Sequence, residues 1–189
     1  MTLPPARHVV LVGLMGSGKT TVGRRVADLL GRDFIDADSA LEEITDRTIA
    51  EIFDTDGEAA FRAIEADVLE ELLEHHEPTV VAAGGGVVLR EDSRERLQRP
   101  LVTTVWLDAS PAFLASRVTP KAHRPLLHGG DTPREVLERL HGQRAHLSGE
   151  VADMAVDVAR FHLEGGDSKR ALAERVAELV LAHEAGVTA

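Results

Sequence analysis

The chain of 189 residues has no cysteine, which removes disulfides, thiolate nucleophiles and Cys-ligated zinc together. Long apolar runs are missing too. Nothing approaches the roughly 18 consecutive apolar residues a membrane span needs. The start, Met1-Thr2-Leu3-Pro4-Pro5-Ala6-Arg7, has neither an apolar signal core nor a small-residue cleavage site, so the cytoplasm is the expected location. Positive charge is scarce: only three lysines occur, the net charge is −11 and the pI is about 5.2. That balance repels a polyanionic backbone and argues against nucleic acid as a partner. An anionic small substrate would need a local cluster of cations, which gives individual arginines in loops more weight than the overall sign. No Asn-Lys-x-Asp guanine reader occurs, and Asp54-Thr55-Asp56-Gly57 does not end an apolar strand, so the signature of a GTP switch is absent as well.

What is present is organised around Gly13-Leu14-Met15-Gly16-Ser17-Gly18-Lys19-Thr20. This stretch lies between the apolar run His8-Val9-Val10-Leu11-Val12 and a helix expected from about Gly18. A Gly, four residues and Gly-Lys-Thr form a loop whose backbone N–H groups cradle phosphate oxygens at a helix N-terminus. Gly13, Gly16 and Gly18 permit positive φ and close backbone approach. Lys19 can neutralise β/γ-phosphate charge, and the Thr20 hydroxyl suits a hard Mg²⁺ ion. A nucleoside triphosphate site follows. The acceptor does not, because kinases, GTP switches and ATP-driven machines share this loop.

The rest of the chain alternates helix and strand signals. Thr21 to Leu30 carries apolar residues at helical spacing and Gly31 suits its C-cap. A short strand, Phe34-Ile35, ends in Asp36-Ala37-Asp38. Ser39 with Glu42, and Thr48 with Glu51, then read as N-caps of two short helices. Asp56-Gly57 opens a longer amphipathic helix to about His75. Thr79 to Ala83 reads as a fully buried strand ended by Gly84-Gly85-Gly86. A polar helix over Glu91 to Arg99 precedes the strand Leu101 to Leu107, and Ser110-Pro111 starts a helix to about Val118. Thr119 to Asp131 is rich in Pro, His and Gly, a functional-loop composition. Thr132-Pro133 restarts a helix to about Ser148. Met154 to Val158 is the fifth strand, Ser168 to His183 the closing helix, and Glu184 to Ala189 a frayed tail. The alternation implies a single α/β domain over residues 1–189, with a five-stranded parallel sheet covered on both faces. Ligands in such sheets collect beyond the carboxyl ends of the strands, where the phosphate loop, Asp36, Asp38 and Gly84 to Gly86 all fall.

Together with the phosphate loop, five further features resemble the shikimate kinase family and occur in its order. They are Asp36-Ala37-Asp38, the stretch Asp56 to Arg62 followed by Glu65, Gly84-Gly85-Gly86, Arg124-Pro125-Leu126-Leu127, and Arg144. The resemblance implies a P-loop three-layer α/β/α sandwich with strand order 2-3-1-4-5 and a mobile lid over about residues 119–131. It also implies a monomer that transfers the ATP γ-phosphoryl to the 3-hydroxyl of shikimate, with Mg²⁺, in aromatic amino acid biosynthesis. Met15, Gly16, Ser17, Gly18, Lys19, Thr20 and Thr21 would grip ATP, with Arg117 near the adenine. Asp36 and Thr20 suit the metal, and Asp38 would orient or deprotonate the attacking hydroxyl. Arg62 and Arg144 would bind the substrate carboxylate, Gly84 to Gly86 would let a small polyol lie against bare backbone, and Arg124 would close over the phosphates as an arginine finger does.

Several readings compete with these. Asp36 and Asp38 could simply cap a helix, and Arg62 could serve only in salt bridges with Glu58 or Glu65. Asp108, ending a long apolar strand, competes with Asp36 for the metal. The nine histidines lack ligand spacing and read as surface or loop residues. The chain departs from the family at Ser148, where many relatives carry tyrosine, and across Arg160 to Asp167, near the expected adenine contacts. Another small-molecule kinase acting on gluconate or a cyclitol would share the phosphate loop, without needing Arg62, Arg144 and the triple glycine together. A nucleotide-binding module with no acceptor is the reading from outside enzymology.

Overall fold

β1 (His8–Val12) is central because every one of its side chains is apolar or internally bonded, and Val9, Val10, Leu11 and Val12 are each 0% exposed. Side chains alternate across a strand. Val9 and Leu11 therefore enter one core, Val10 and Val12 the other. In the computed structural model, which describes residues 7–118, 131–163 and 167–186, β1 pairs in parallel with β3 (Thr79–Ala82) and β4 (Val102–Asp108). β2 (Asp33–Asp36) and β5 (Met154–Asp157) complete the parallel order β2-β3-β1-β4-β5.

Helices cover both faces. The Val9 and Leu11 side packs against α1 (Lys19–Leu30), α5 (Pro111–Ala115), α6 (Pro133–Val151) and α8 (Ser168–Glu184). The Val10 and Val12 side packs against α2 (Ala37–Thr45), α3 (Ile49–Leu73) and α4 (Glu91–Leu97). A 3₁₀ turn (Val87–Leu89) and α7 (Val158–Leu163) fill the remaining corners. Truncating a residue such as Leu11 to Ala would cost about 2–5 kcal/mol, because the sandwiched strand cannot collapse into the cavity.

The capping boxes at Thr48 with Glu51 and Thr132 with Glu135 form as the sequence predicts. Gly57, at φ 82 and ψ 172, breaks α3 into the two helical stretches expected around Asp56-Gly57, a conformation essentially reserved for glycine. Other boundaries differ. Asp36, not Ser39, caps α2, because the chain leaves β2 with the Asp36 carboxylate already facing the first-turn amides of Asp38 and Ser39. α5 stops at Ala115 rather than Val118, α4 at Leu97 rather than Arg99, and α3 at Leu73 rather than His75. α6 runs on to Val151, whose burial in the second core holds the extra turn. β5 ends at Asp157, whose carboxylate accepts from Ala159 N at 2.9 Å and starts the unforeseen α7.

His8 joins the edge of β1 to the start of β3. It is 7% exposed, and its Nδ1 accepts from Thr79 N at 3.3 Å. Burial pushes its pKa down, against a hydrogen bond to the His75 backbone, with the His75 and Arg32 charges adding to the fall. A histidine whose folded pKa is lowered stabilises above its unfolded value of about 6.5, and that contribution is lost as pH falls through the folded pKa. Thermal melting should therefore drop between about pH 7 and pH 5, with a shallower slope in His8→Asn, which offers an amide oxygen to Thr79 N without titrating. Equal slopes in the two proteins would remove His8 from the acid response.

Candidate active site

The loop between β1 and α1 is shaped for an anion. Gly13, Gly16 and Gly18 have φ of 144, 87 and 95, and Gly18 caps α1 with no side-chain bond, leaving the first-turn amides for another acceptor. A Cβ at Gly13 would stand 2.6 Å from Leu107 O, so the loop lies hard against the end of β4. Lys19 Nζ donates to Gly13 O at 2.8 Å and Leu14 O at 3.2 Å, which holds the ammonium over the loop. Ser17 Oγ is buried behind it, with no partner among the described residues.

Beside the loop, Thr20 Oγ1 donates to Asp36 Oδ2 at 2.7 Å, while Asp36 Oδ1 serves as the α2 cap. Capping and a metal role are thus compatible on the two oxygens of one carboxylate. A hydroxyl and a carboxylate at the end of a phosphate loop fit Mg²⁺, which keeps waters and phosphate oxygens and uses one or two protein ligands. Among the described residues no group of three or more His, Asp or Glu could hold a metal unaided. Asp108 lies elsewhere: it borders a small side pocket with Trp106 and His141, 3.9 Å from His141 Nε2.

Opposite the loop, three buried charges meet: Arg62, Glu65 and Arg144. Arg62, 8% exposed on α3, donates from Nη1 to Glu65 Oε2 at 2.7 Å and from Nη2 to Glu58 Oε1 at 3.1 Å. Arg144, 4% exposed on α6, donates from Nη1 to Gly85 O at 3.0 Å. Burial and the Arg62 charge push Arg144 down to about 10, still cationic at neutral pH. Burial likewise pushes the Glu65 carboxyl up, opposed by Arg62. Asp38 is raised by burial first, opposed by Lys19, with Asp36 raising it further. Each arginine keeps a buried Nε with no partner among the described residues.

These features share one cavity of about 910 Å³. Met15, Gly16, Gly18, Lys19, Thr20 and Thr21 line it from the loop and the start of α1, Asp36 from the end of β2 and Asp38 from the first turn of α2. Arg62, Gly85, Gly86 and Arg144 line the opposite side, and Arg117 the rim. Arg62 is therefore salt-bridged and cleft-facing at once. Gly13, Ser17 and Gly84, also expected at the site, do not line the cavity. Arg124, and all but the last residue of the 119–131 lid, lie outside the described residues.

Glu65, weighed with Glu58 in the sequence as a salt-bridge partner of Arg62, is the buried carboxylate that orients that arginine, and the Glu58 pair forms as well. The triple glycine has an unforeseen purpose. A Cβ at Gly84 would overlap Glu65 Oε1 and stand 3.0 Å from Asp38 Oδ1, and one at Gly86 would overlap the Arg62 guanidinium. At Gly85 the nearest atom, Gly13 O, is 3.7 Å away, an ordinary contact.

A family model described as shikimate kinase matches residues 15–180. The chain belongs to the shikimate kinase family. The shikimate kinase of Synechococcus elongatus is 41% identical over 170 residues, covering 90% of this chain and 84% of the relative. The solved shikimate kinase from Acinetobacter baumannii in complex with shikimate superposes with a TM-score of 0.86 at 35% identity, covering 96% of both chains. A gluconokinase from Sinorhizobium meliloti, 26% identical, covers 97% of this chain and 99% of its own with a TM-score of 0.58. Members of the shikimate kinase family use ATP with Mg²⁺, and this chain is accordingly an ATP-dependent kinase.

In this kinase, then, the glycines make room for charges. Gly84→Ala and Gly86→Ala should each cost on the order of 1–3 kcal/mol through overpacking, whereas Gly85→Ala should change stability by under about 0.5 kcal/mol. Thermal melting of the three variants decides it, and three equal melting temperatures would contradict the packing account.

Proposed function

We propose that the cleft transfers the γ-phosphoryl group of ATP to the 3-hydroxyl of shikimate, giving shikimate 3-phosphate and ADP. The observation that carries this reading is the convergence of Lys19, Asp38, Arg62 and Arg144 on one cavity. Phosphoryl transfer asks for in-line positioning and charge stabilisation more than for covalent chemistry, and the residues divide along those lines.

Backbone amides of the loop from Gly13 to Thr21 hold the phosphates, and Lys19 leaves its carbonyl partners to neutralise them. Thr20 and Asp36 would hold Mg²⁺, which when bound offsets charge on the β- and γ-oxygens. Arg62 and Arg144 clamp the substrate carboxylate with their guanidinium N–H groups, and Glu65 fixes the Arg62 fork. Gly84 to Gly86 leave the acceptor bare backbone at Gly85. Asp38 orients the 3-hydroxyl and accepts its proton as the oxygen bonds to the γ-phosphorus and the bond to the β,γ-bridging oxygen breaks. Its raised pKa makes it a better proton acceptor than an ordinary aspartate. Arg117 flanks the base, and Arg124 from the lid stabilises the transition state. The chain acts as a monomeric single domain in the cytoplasm, with neither nucleic acid nor membrane as a partner. Support comes from a cleft completed within one chain, a net charge of −11, and no described helix long and apolar enough to cross a membrane.

A coupled assay offering ATP with shikimate or with gluconate tests the acceptor: turnover should require shikimate, and preference for gluconate would refute the reading. Lys19→Ala should lower kcat on the order of 10²–10³-fold or more, as loss of a transition-state charge contact does. Arg62→Ala should raise KM for shikimate about 10- to 100-fold while KM for ATP moves little, because the clamp faces only the acceptor. Equal effects on both substrates would remove the clamp. Asp38→Asn should lose on the order of 10²–10⁴ in kcat. A carboxyl whose folded pKa is raised destabilises the fold once ionised, so this variant should melt no lower than the parent at neutral pH. A large loss of stability would make Asp38 a structural residue.

A further inference from the structure

Arg117, just beyond α5, is held by contacts that the phosphate loop alone does not explain. Its Nε donates to Gly16 O at 3.3 Å, and its guanidinium lies 5.3 Å from the Phe113 ring centroid. Its Nη1 is hydrogen-bonded to His162 Nε2 on α7. The other ring nitrogen, His162 Nδ1, lies 3.1 Å from Val158 O, and the ring stands edge-on to Phe113 with centroids 5.1 Å apart. A carbonyl can only accept, so Nδ1 carries the proton and donates. A guanidinium can only donate, so Nε2 must present its lone pair. Both contacts together specify one neutral tautomer. A proton on Nε2 would remove the acceptor and set two cations against each other. Arg117 is the charged group bonded to the ring, and Arg160 stands two residues away on the same helix.

Arg117 lines the rim of the cleft and is tied to the phosphate loop at Gly16, whereas Arg62 and Arg144 gather around Gly85 and Gly86. A disturbance passing through His162 should therefore reach the nucleotide end and spare the acceptor end. We propose that His162 is a positioning residue for the nucleotide, its neutral imidazole accepting from Arg117 and so holding that guanidinium at the rim. The proposal rests on ATP being the phosphoryl donor. Nothing in it requires His162 to touch substrate: it acts through Arg117.

The test is calorimetric titration of the whole chain with ADP for the parent, His162→Ala and His162→Gln; loss of one hydrogen bond to a charged group predicts roughly a 5- to 10-fold change in Kd. His162→Gln, whose amide oxygen can accept from Arg117, should bind ADP like the parent. His162→Ala should bind ADP more weakly by that factor, with KM for ATP raised and KM for the acceptor not. Parent-like binding by His162→Ala would overturn the proposal. Equal weakening in both variants would overturn it too, by assigning the ring to packing against Phe113. A parent that fails to bind ADP at all would instead refute the donor assignment.

Discussion

The pairing of Arg62 with Glu65 inside the cavity wall is the constraint on which the acceptor side of the site depends. Isolated burial of either charge would be costly, and even a bonded pair must offset the loss of hydration. The pair persists because α3 carries both partners one turn apart and because Gly86 and Gly84 present no side chains where the guanidinium and carboxylate lie. Arg144, anchored on the Gly85 carbonyl, brings a second positive charge to the same wall. The result is two guanidinium groups held near one another in the cleft wall of a protein whose net charge is −11. Local geometry, not the overall balance, decides which ligand the cleft can attract.

The phosphate loop supplies the facing wall by a different means. There the charges are mostly partial ones, from backbone amides at the start of α1, and they need no counter-ion inside the protein. Their direction is set by β1, whose side chains are buried on both faces and so cannot shift by one residue without repacking both cores. Because β3 lies in register between β1 and β2, the loops after these three strands open into the same crevice at the carboxyl ends of the sheet. The distance from phosphate grip to arginine wall is thus a property of the sheet.

Stability and chemistry pull against each other at Asp38 and Glu65. Both carboxyls are raised by burial, so at neutral pH their ionised forms oppose folding. The cores on the two faces of the sheet supply the surplus that tolerates this, as is common where a site must be prepared before its ligand arrives. Gly57 contributes in the same spirit: a conformation essentially restricted to glycine separates the first turns of α3, which line the cleft through Ala50 and Phe53, from the stretch that carries Arg62.

Much of this is legible in the sequence. The phosphate loop, the strands and the capping boxes at Thr48 and Thr132 depend on residues close together in the chain, so spacing and periodicity reveal them. Contacts between distant segments were not legible. Asp36 rather than Ser39 caps α2 because of the direction in which the chain leaves β2, and α7 follows from an Asp157 cap on a helix too short to show a period. Sequence order put Arg62, Gly86 and Arg144 on three separate segments; only the sheet brings them together, lets one glycine accommodate a guanidinium and another a carboxylate, and sets His162 against Arg117. By itself the sequence determined that a triphosphate is gripped and which local elements form, because those are short-range matters of backbone shape. The tertiary structure alone decided which buried charges face that grip and what holds each in place, because the energy of a charge in a protein interior depends on everything packed around it.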